Sequence, residues 1–324
     1  MKINFLFLIV TFLFVSSCED YFSSIIDIDL PSTNPKLVLY SFIQEGEDTI
    51  YCTLSKTQNV FRDYSANAKY LFNSDTFWSA SNSYGYNIFY DNNMDTISNA
   101  EITLYKNNLV IATFQKDTFR CVYKAILSPK IKFEPNISFK IKAKAPGYEA
   151  IESNQVVPKP VSVDSIHYSP NLSIIDPKNP VTNHIRDEFE IFFTDPPEKN
   201  YYSIGISGRN SNGKRIGTGS FSYDSRSNYD ILEDHSFNAN KTSWKVYTRG
   251  LPKLNNKGLD TLNITVSLMT ITEESKSYAH YIAKFWKAFD DPFSEPVIPY
   301  SNIINGYGLF GISSLRNKTI TIIR

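Results

Sequence analysis

The residue best placed to do chemistry stands near the N-terminus. Cys18 follows Val15-Ser16-Ser17 and closes a segment, Ile3 to Val15, that is apolar except for Asn4 and Thr11 and lies behind the positive charge of Lys2. A helix needs ~20 apolar residues to cross ~30 Å of hydrocarbon, so this run is too short to span a bilayer and suits the core of a secretory leader. Small residues just before a cysteine at the end of such a leader are what thioether attachment of a diacylglycerol, followed by cleavage before that cysteine, requires. The expectation is a leader over 1–17 and a lipid on Cys18. The competing reading is a plain secretory cut with Cys18 a bystander. Two or three acyl chains, at ~0.8 kcal/mol per buried CH₂, hold a protein on a membrane without a spanning helix.

Other motifs point to chemistry less firmly. Gly208-Arg209-Asn210-Ser211-Asn212-Gly213-Lys214 follows a phosphate-binding loop for seven positions, but Arg215 stands where a Ser or Thr should reach Mg²⁺ and no helix pattern follows. A hairpin turn accounts for those glycines better. His167, His184, His235 and His280 are scattered, with no zinc-ligand spacing. Asp290-Asp291 reads as a solvated helix end, and Asp27-Ile28-Asp29 lacks the acidic series of a calcium loop. No metal or cofactor is expected. Cys52 and Cys121 fall in strand patterns, as a disulfide formed after export or as two small buried thiols. A hydrolase assembled from distant carboxylates stays open as a minor alternative.

Any such residues must be positioned by β-structure. The chain has 324 residues, enough for about two ordinary domains, and 33 basic against 33 acidic residues, which argues against nucleic acid as a partner. At 42% apolar and 20% charged it can bury real cores. Leu37 to Gln44 and Ile50 to Ser55 are β-propensity runs split by Glu45-Gly46-Glu47-Asp48. Ala100, Ile102 and Leu104, then Val110, Ala112 and Phe114, then Phe139, Ile141 and Ala143 alternate with polar partners, the mark of strands covered on one face. About seven such strands predict an immunoglobulin-like sandwich over 36–157, after a tether over 18–35. Pro158-Lys159-Pro160 reads as a boundary. Beyond it, alternation at Phe189, Ile191 and Phe193, at Tyr202, Ile204 and Ile206, and at Leu262, Ile264, Val266 and Leu268 predicts a second β-rich domain over 161–324. One helix is expected near 273–290, capped by Thr272, with Glu273 and Glu274 in its first turn and Tyr278, Tyr281, Ile282, Phe285 and Phe289 on one stripe. That stripe reads as a core face before a partner site. The fold class expected is mainly β.

Residues 63–99 lack clear periodicity and hold nine aromatics with only five charges, too aromatic for disorder. Phe77, Trp78, Tyr84 and Tyr86 are the candidate contact surface for a glycan or peptide, because such rings offer rigid apolar faces with polar edges. A minicore beneath a long loop is the equal alternative.

Several stretches together resemble a known family. Val15-Ser16-Ser17-Cys18, Ile26-Asp27-Ile28-Asp29-Leu30, Pro35-Lys36-Leu37-Val38 and Leu54-Ser55-Lys56-Thr57 are similar to the start of Bacteroidetes lipoproteins catalogued as domain of unknown function 4249. So is a closing block of Ile271-Thr272-Glu273-Glu274-Ser275, Asp291-Pro292-Phe293-Ser294-Glu295-Pro296 and the run from Ser301 to Gly311. The resemblance implies an outer-membrane lipoprotein without established catalytic residues, often encoded beside a TonB-dependent transporter. Glu19 and Asp20 resemble the surface-export signal of such lipoproteins, or simply begin an acidic tether. Within the closing block, Asn302, Gly306, Gly308, Phe310 and Gly311 read as structural punctuation before ligand contact. The expected function is a non-enzymatic surface lipoprotein that captures a ligand for, or docks on, such a transporter. A structural or adhesive surface protein is the rival.

Overall fold

The strand patterns become strands wherever one face is apolar. The computed structural model describes residues 34–57, 78–81, 87–90, 97–117, 122–134, 136–176, 179–216, 220–221, 227–228, 231–234, 237, 239–248, 261–289, 295 and 297–323. Up to Pro158 the chain forms β1 (Leu37–Gln44), β2 (Thr49–Lys56), β3 (Trp78–Ser81), β4 (Asn87–Tyr90), β5 (Glu101–Lys106), β6 (Leu109–Thr113), β7 (Gln115–Lys116), β8 (Tyr123–Ile126), β9 (Ser138–Lys144) and β10 (Ile151–Val156). Then come β11 (Val163–Asp176), β12 (Asn179–Thr194), β13 (Tyr201–Asn210), β14 (Arg215–Ile216), β15 (Ser220–Phe221), β16 (Ser227–Asn228), β17 (Ile231–Glu233), β18 (Lys241–Thr248) and β19 (Thr261–Ile271). The helix α1 (Glu273–Phe289) and the 17-residue β20 (Tyr307–Ile323) complete the chain. The protein is mainly β with a single long helix among the described residues, and no described helix is long and apolar enough to cross a membrane.

Two four-stranded sheets, β10-β9-β5-β6 and β11-β12-β18-β15, accompany one long sheet in the order β16-β17-β13-β19-β20-β1-β2-β8-β7. The long sheet is organised by β20. Residues Tyr307 to Ser313 pair in parallel with β1, and Ser313 to Ile323 pair antiparallel with β19 on the other side. Its alternating side chains therefore line two cores in succession. Phe310 and Ile312 join Leu37, Leu39, Ile43 and Cys52 against Phe139 and Ile141 of the first four-stranded sheet. Ile320 and Ile322 join Leu262, Ile264 and Tyr202 against Phe189, Ile191 and Trp244 of the second.

This arrangement corrects the expected division at Pro158-Lys159-Pro160. Neither the packing nor the backbone pairing divides there: Ile303, Phe310 and Ile312 belong to the first core, and Pro35–Arg324 is one compact unit. The C-terminal strand returns to the first core as the parallel neighbour of β1, so neither half completes its sheet alone. Against the expected seven strands before residue 157, the described residues form ten. The extra ones include the β3–β4 hairpin, which pairs Trp78 with Tyr90 inside the stretch that showed no periodicity.

The opposite face of the long sheet carries α1. Thr272 caps it, with the Ser275 amide donating to Thr272 Oγ1 at 3.3 Å and Glu273 and Glu274 in the first turn. Its Ala279 packs with Met269 and Ile271 of β19. Tyr278 meets Tyr40 of β1, with ring centroids 5.7 Å apart, and Tyr278–Tyr281–Phe285 continue at 5.9 and 6.2 Å along the helix. The stripe is half-buried at Tyr278 and Tyr281 and 40% exposed at Phe285.

Candidate functional site

The closing block is a joint between sheets. The Phe310 amide donates to Asn302 Oδ1 at 2.9 Å, and Asn302 Nδ2 donates to the Phe310 carbonyl at 2.8 Å, so one amide side chain satisfies both backbone groups of a residue eight positions on. Ser153 Oγ of β10 donates to the Asn302 carbonyl at 2.8 Å. Ile304 and Glu152 form an antiparallel bridge, with Ile304 N donating to the Glu152 carbonyl at 2.8 Å. The segment thus caps the β10 edge of one sheet before the chain enters β20 of another. Gly308 shows why glycine is needed at the entry. Its φ is +114°, and a Cβ there would stand 1.9 Å from the Leu39 carbonyl oxygen of β1. An added Cβ at Gly306 would stand 2.7 Å from the Leu37 carbonyl oxygen, and one at Gly311 2.5 Å from the Phe42 ring.

Beside this joint lies a groove of about 350 Å³, at the small end of the ~300–1,000 Å³ of ligand sites. Its floor is the outer face of the β10-β9-β5-β6 sheet. The alternation that buries Phe139, Ile141 and Ala143 turns Lys140, Lys142 and Lys144 outward, and the same pleat turns out Glu101, Thr103 and Tyr105 of β5. Register sets these groups in rows: Glu152, Lys142 and Thr103 in one, Lys144 opposite Glu101 in the next. Lys142 Nζ lies 2.9 Å from Glu152 Oε2. This contact holds the Glu152 carboxyl below the usual range and the Lys142 ammonium above its own, so both stay charged at neutral pH. The Tyr105 hydroxyl is near enough to act electrostatically on Lys142. Exposed Ile304 (57%) and Asn305, held by a 3.4 Å bond from Asn305 Nδ2 to the Ala150 carbonyl, form one wall. Sequence reading treated these lysines only as the solvated side of a strand. The available signal was Glu101 and Tyr105 alternating on a strand of like character.

A second polar cluster is buried rather than open. Asp195 (2% exposed) accepts the Tyr202 hydroxyl and, at 3.1 Å, the Ala239 amide. Asp234 (3% exposed) accepts the Asn200 amide at 2.5 Å. Burial, with Asp234 and Glu198 nearby, pushes the Asp195 carboxyl up. These buried carboxylates tie the Asp195–Asn200 segment to Asp234 and Ala239, which is a structural role.

The remaining sequence candidates resolve as follows. Gly208–Lys214 is the β13–β14 hairpin: Gly213 (φ +75°) donates to the Asn210 carbonyl at 2.9 Å, Asn210 to the Lys214 carbonyl at 3.0 Å, and the Lys214 amide to Asn210 Oδ1 at 2.8 Å. Those amides serve the turn. Of the expected pair Cys52 and Cys121, Cys52 is a free thiol, 0% exposed, in the first core, and its burial pushes the thiol pKa up. Cys121 lies outside the described residues, as do Cys18, Phe77, Tyr84 and Tyr86; Trp78 is placed only as the first residue of β3. Among the described residues no three His, Cys, Asp or Glu side chains gather as a metal site.

The model of a family described as a domain of unknown function, DUF4249, matches residues 24–319. The chain belongs to this family. The matched span holds every described strand up to the greater part of β20, so the joint and the groove lie on the family body. No curated protein matches the chain. Among solved structures, the crystal structure of collagen adhesin (CNA) from S. aureus aligns at 8% identity over 90% of this chain and 95% of that one, with a TM-score of 0.15, a level at which nothing transfers.

Proposed function

We propose that this DUF4249 protein is a non-enzymatic surface lipoprotein of the bacterial outer membrane, anchored through Cys18 and acting as a ligand-capture or accessory partner of a TonB-dependent transporter. The observation that carries the reading is the Val15-Ser16-Ser17-Cys18 signature set directly ahead of the family body, whose match begins at residue 24 and whose compact unit begins at Pro35. Sixteen residues lie between Cys18 and Pro35, a span of at most ~60 Å when extended, which keeps the β body within reach of a membrane partner. The β body supports a binding role by holding a groove open on an outer sheet face, with the charged groups that line it set in register by the strands beneath.

Gentle detergent extraction of the tagged full-length protein from its native cells is the test. Co-elution of a barrel transporter in stoichiometric amount is expected. Elution of the lipoprotein alone, with the barrel intact in the same extract, would remove the accessory role.

A further inference from the structure

We infer that the groove on the β5–β9–β10 face binds a neutral, polyhydroxylated ligand, a glycan segment of one or two rings. This deepens the capture reading above and rests on it. Lys142 is matched by Glu152 at 2.9 Å, and Lys144 stands opposite Glu101 across the strand pair. The cations and anions that line the groove therefore cancel, and no net charge is left to select an ion. At Lys142 a phosphate or carboxylate ligand would have to displace Glu152, and at Glu152 an ammonium ligand would have to displace Lys142.

What remains for recognition is an aromatic ring, a hydroxyl and an amide in one concave surface: Tyr105, Thr103 and Asn305. A ring supplies a flat apolar face for the C–H side of a sugar. The matched ion pair supplies strong donors and acceptors, which vicinal hydroxyls can bridge without taking either charge out of its pair. The site is also prearranged. The floor is a three-strand ladder, and the wall belongs to the joint that Asn302 and Gly308 hold, so little ordering is lost on binding.

The test is a binding assay of the full-length, detergent-solubilised protein against a panel of neutral oligosaccharides in gluco, galacto and manno configuration. Sialylated and sulfated oligosaccharides, and tetra-lysine and tetra-glutamate peptides, are run beside them. The inference expects saturable binding of at least one neutral member, at least tenfold weaker in Tyr105→Ala and in Glu152→Gln, and retained in Tyr105→Phe. Circular dichroism and melting temperature check that each variant is folded; Lys144→Ala, at the exposed end of the groove, serves as a further variant should Tyr105→Ala fail that check, with the same loss expected. Binding confined to charged glycans or peptides, no neutral member bound, or affinity unchanged in folded Tyr105→Ala would each overturn it. Transporter co-elution is read separately, so loss of the partner with glycan binding kept would contradict the accessory role alone.

Discussion

Gly308→Ala will damage this fold more than the loss of a glycine ordinarily does, because two independent costs fall on one atom. The residue sits at φ +114°, where an L side chain is strained by about 1–3 kcal/mol. The added methyl would also stand 1.9 Å from the Leu39 carbonyl oxygen, which is backbone of the partner strand and cannot rotate away. Relief requires β1 and β20 to move apart by more than ~1 Å at the start of their parallel ladder, weakening two or three bonds of about 1 kcal/mol each. The combined loss of about 3–6 kcal/mol is a large share of the ~5–15 kcal/mol that holds a domain folded. Gly213→Ala is the control: its φ is +75° but nothing lies within 4 Å of the new methyl, so about 1 kcal/mol is expected. Urea unfolding followed by tryptophan fluorescence reads both, Trp244 being fully buried in the second core. A Gly308→Ala loss no greater than that of Gly213→Ala would refute the close approach of β1 and β20.

Other outcomes follow from the same contacts. Asn302→Ala leaves both backbone groups of Phe310 without their partner and is expected to cost about 2–3 kcal/mol, whereas Asn302→Asp keeps only the acceptor for the Phe310 amide and falls between, as measured by urea unfolding. Glu47, in the β1–β2 turn, has its carboxyl raised by burial from 4.5 to about 7. Because the folded state favours the protonated form, its contribution is complete below pH ~4.5 and lost as pH rises through 7; Glu47→Gln should flatten that fall, by about 1–3 kcal/mol between pH 5 and 8. Cys52, buried with its thiol pKa raised, should resist thiol reagents in the native protein and react only on unfolding, seen by mass after maleimide treatment.

How far these features were legible depends on how local their cause is. The alternation of Phe139, Ile141 and Ala143 with three lysines is a period-two pattern that only a half-covered strand satisfies, and β9 has that burial. Helix α1 carries its cap, acidic first turn and apolar stripe within 18 residues, and the hairpin at Gly208–Lys214 likewise needs only its own turn residues. The pairing of β1 with β20 has no such local mark. Parallel neighbours nearly the whole chain apart share only β-propensity, so Pro158-Lys159-Pro160 read as a domain boundary although the long sheet runs past it. The groove was hidden for the same reason: Glu101, Lys142, Glu152 and Asn305 meet only once β5, β9, β10 and the closing block are brought together. Gly308 and Asn302 stood out by type, but what they touch, Leu39 and Phe310, became evident only in three dimensions.

The account turns on whether this β body is held to lipid by a single sulfur. Membrane fractionation of wild type and Cys18→Ser, with intact-mass measurement of the mature chain, decides it. Wild type in the membrane fraction, with an acylated N-terminal Cys18, and release of the Cys18→Ser protein into the soluble fraction are predicted; a mature chain beginning elsewhere, or a serine variant that stays with the membrane, would contradict it.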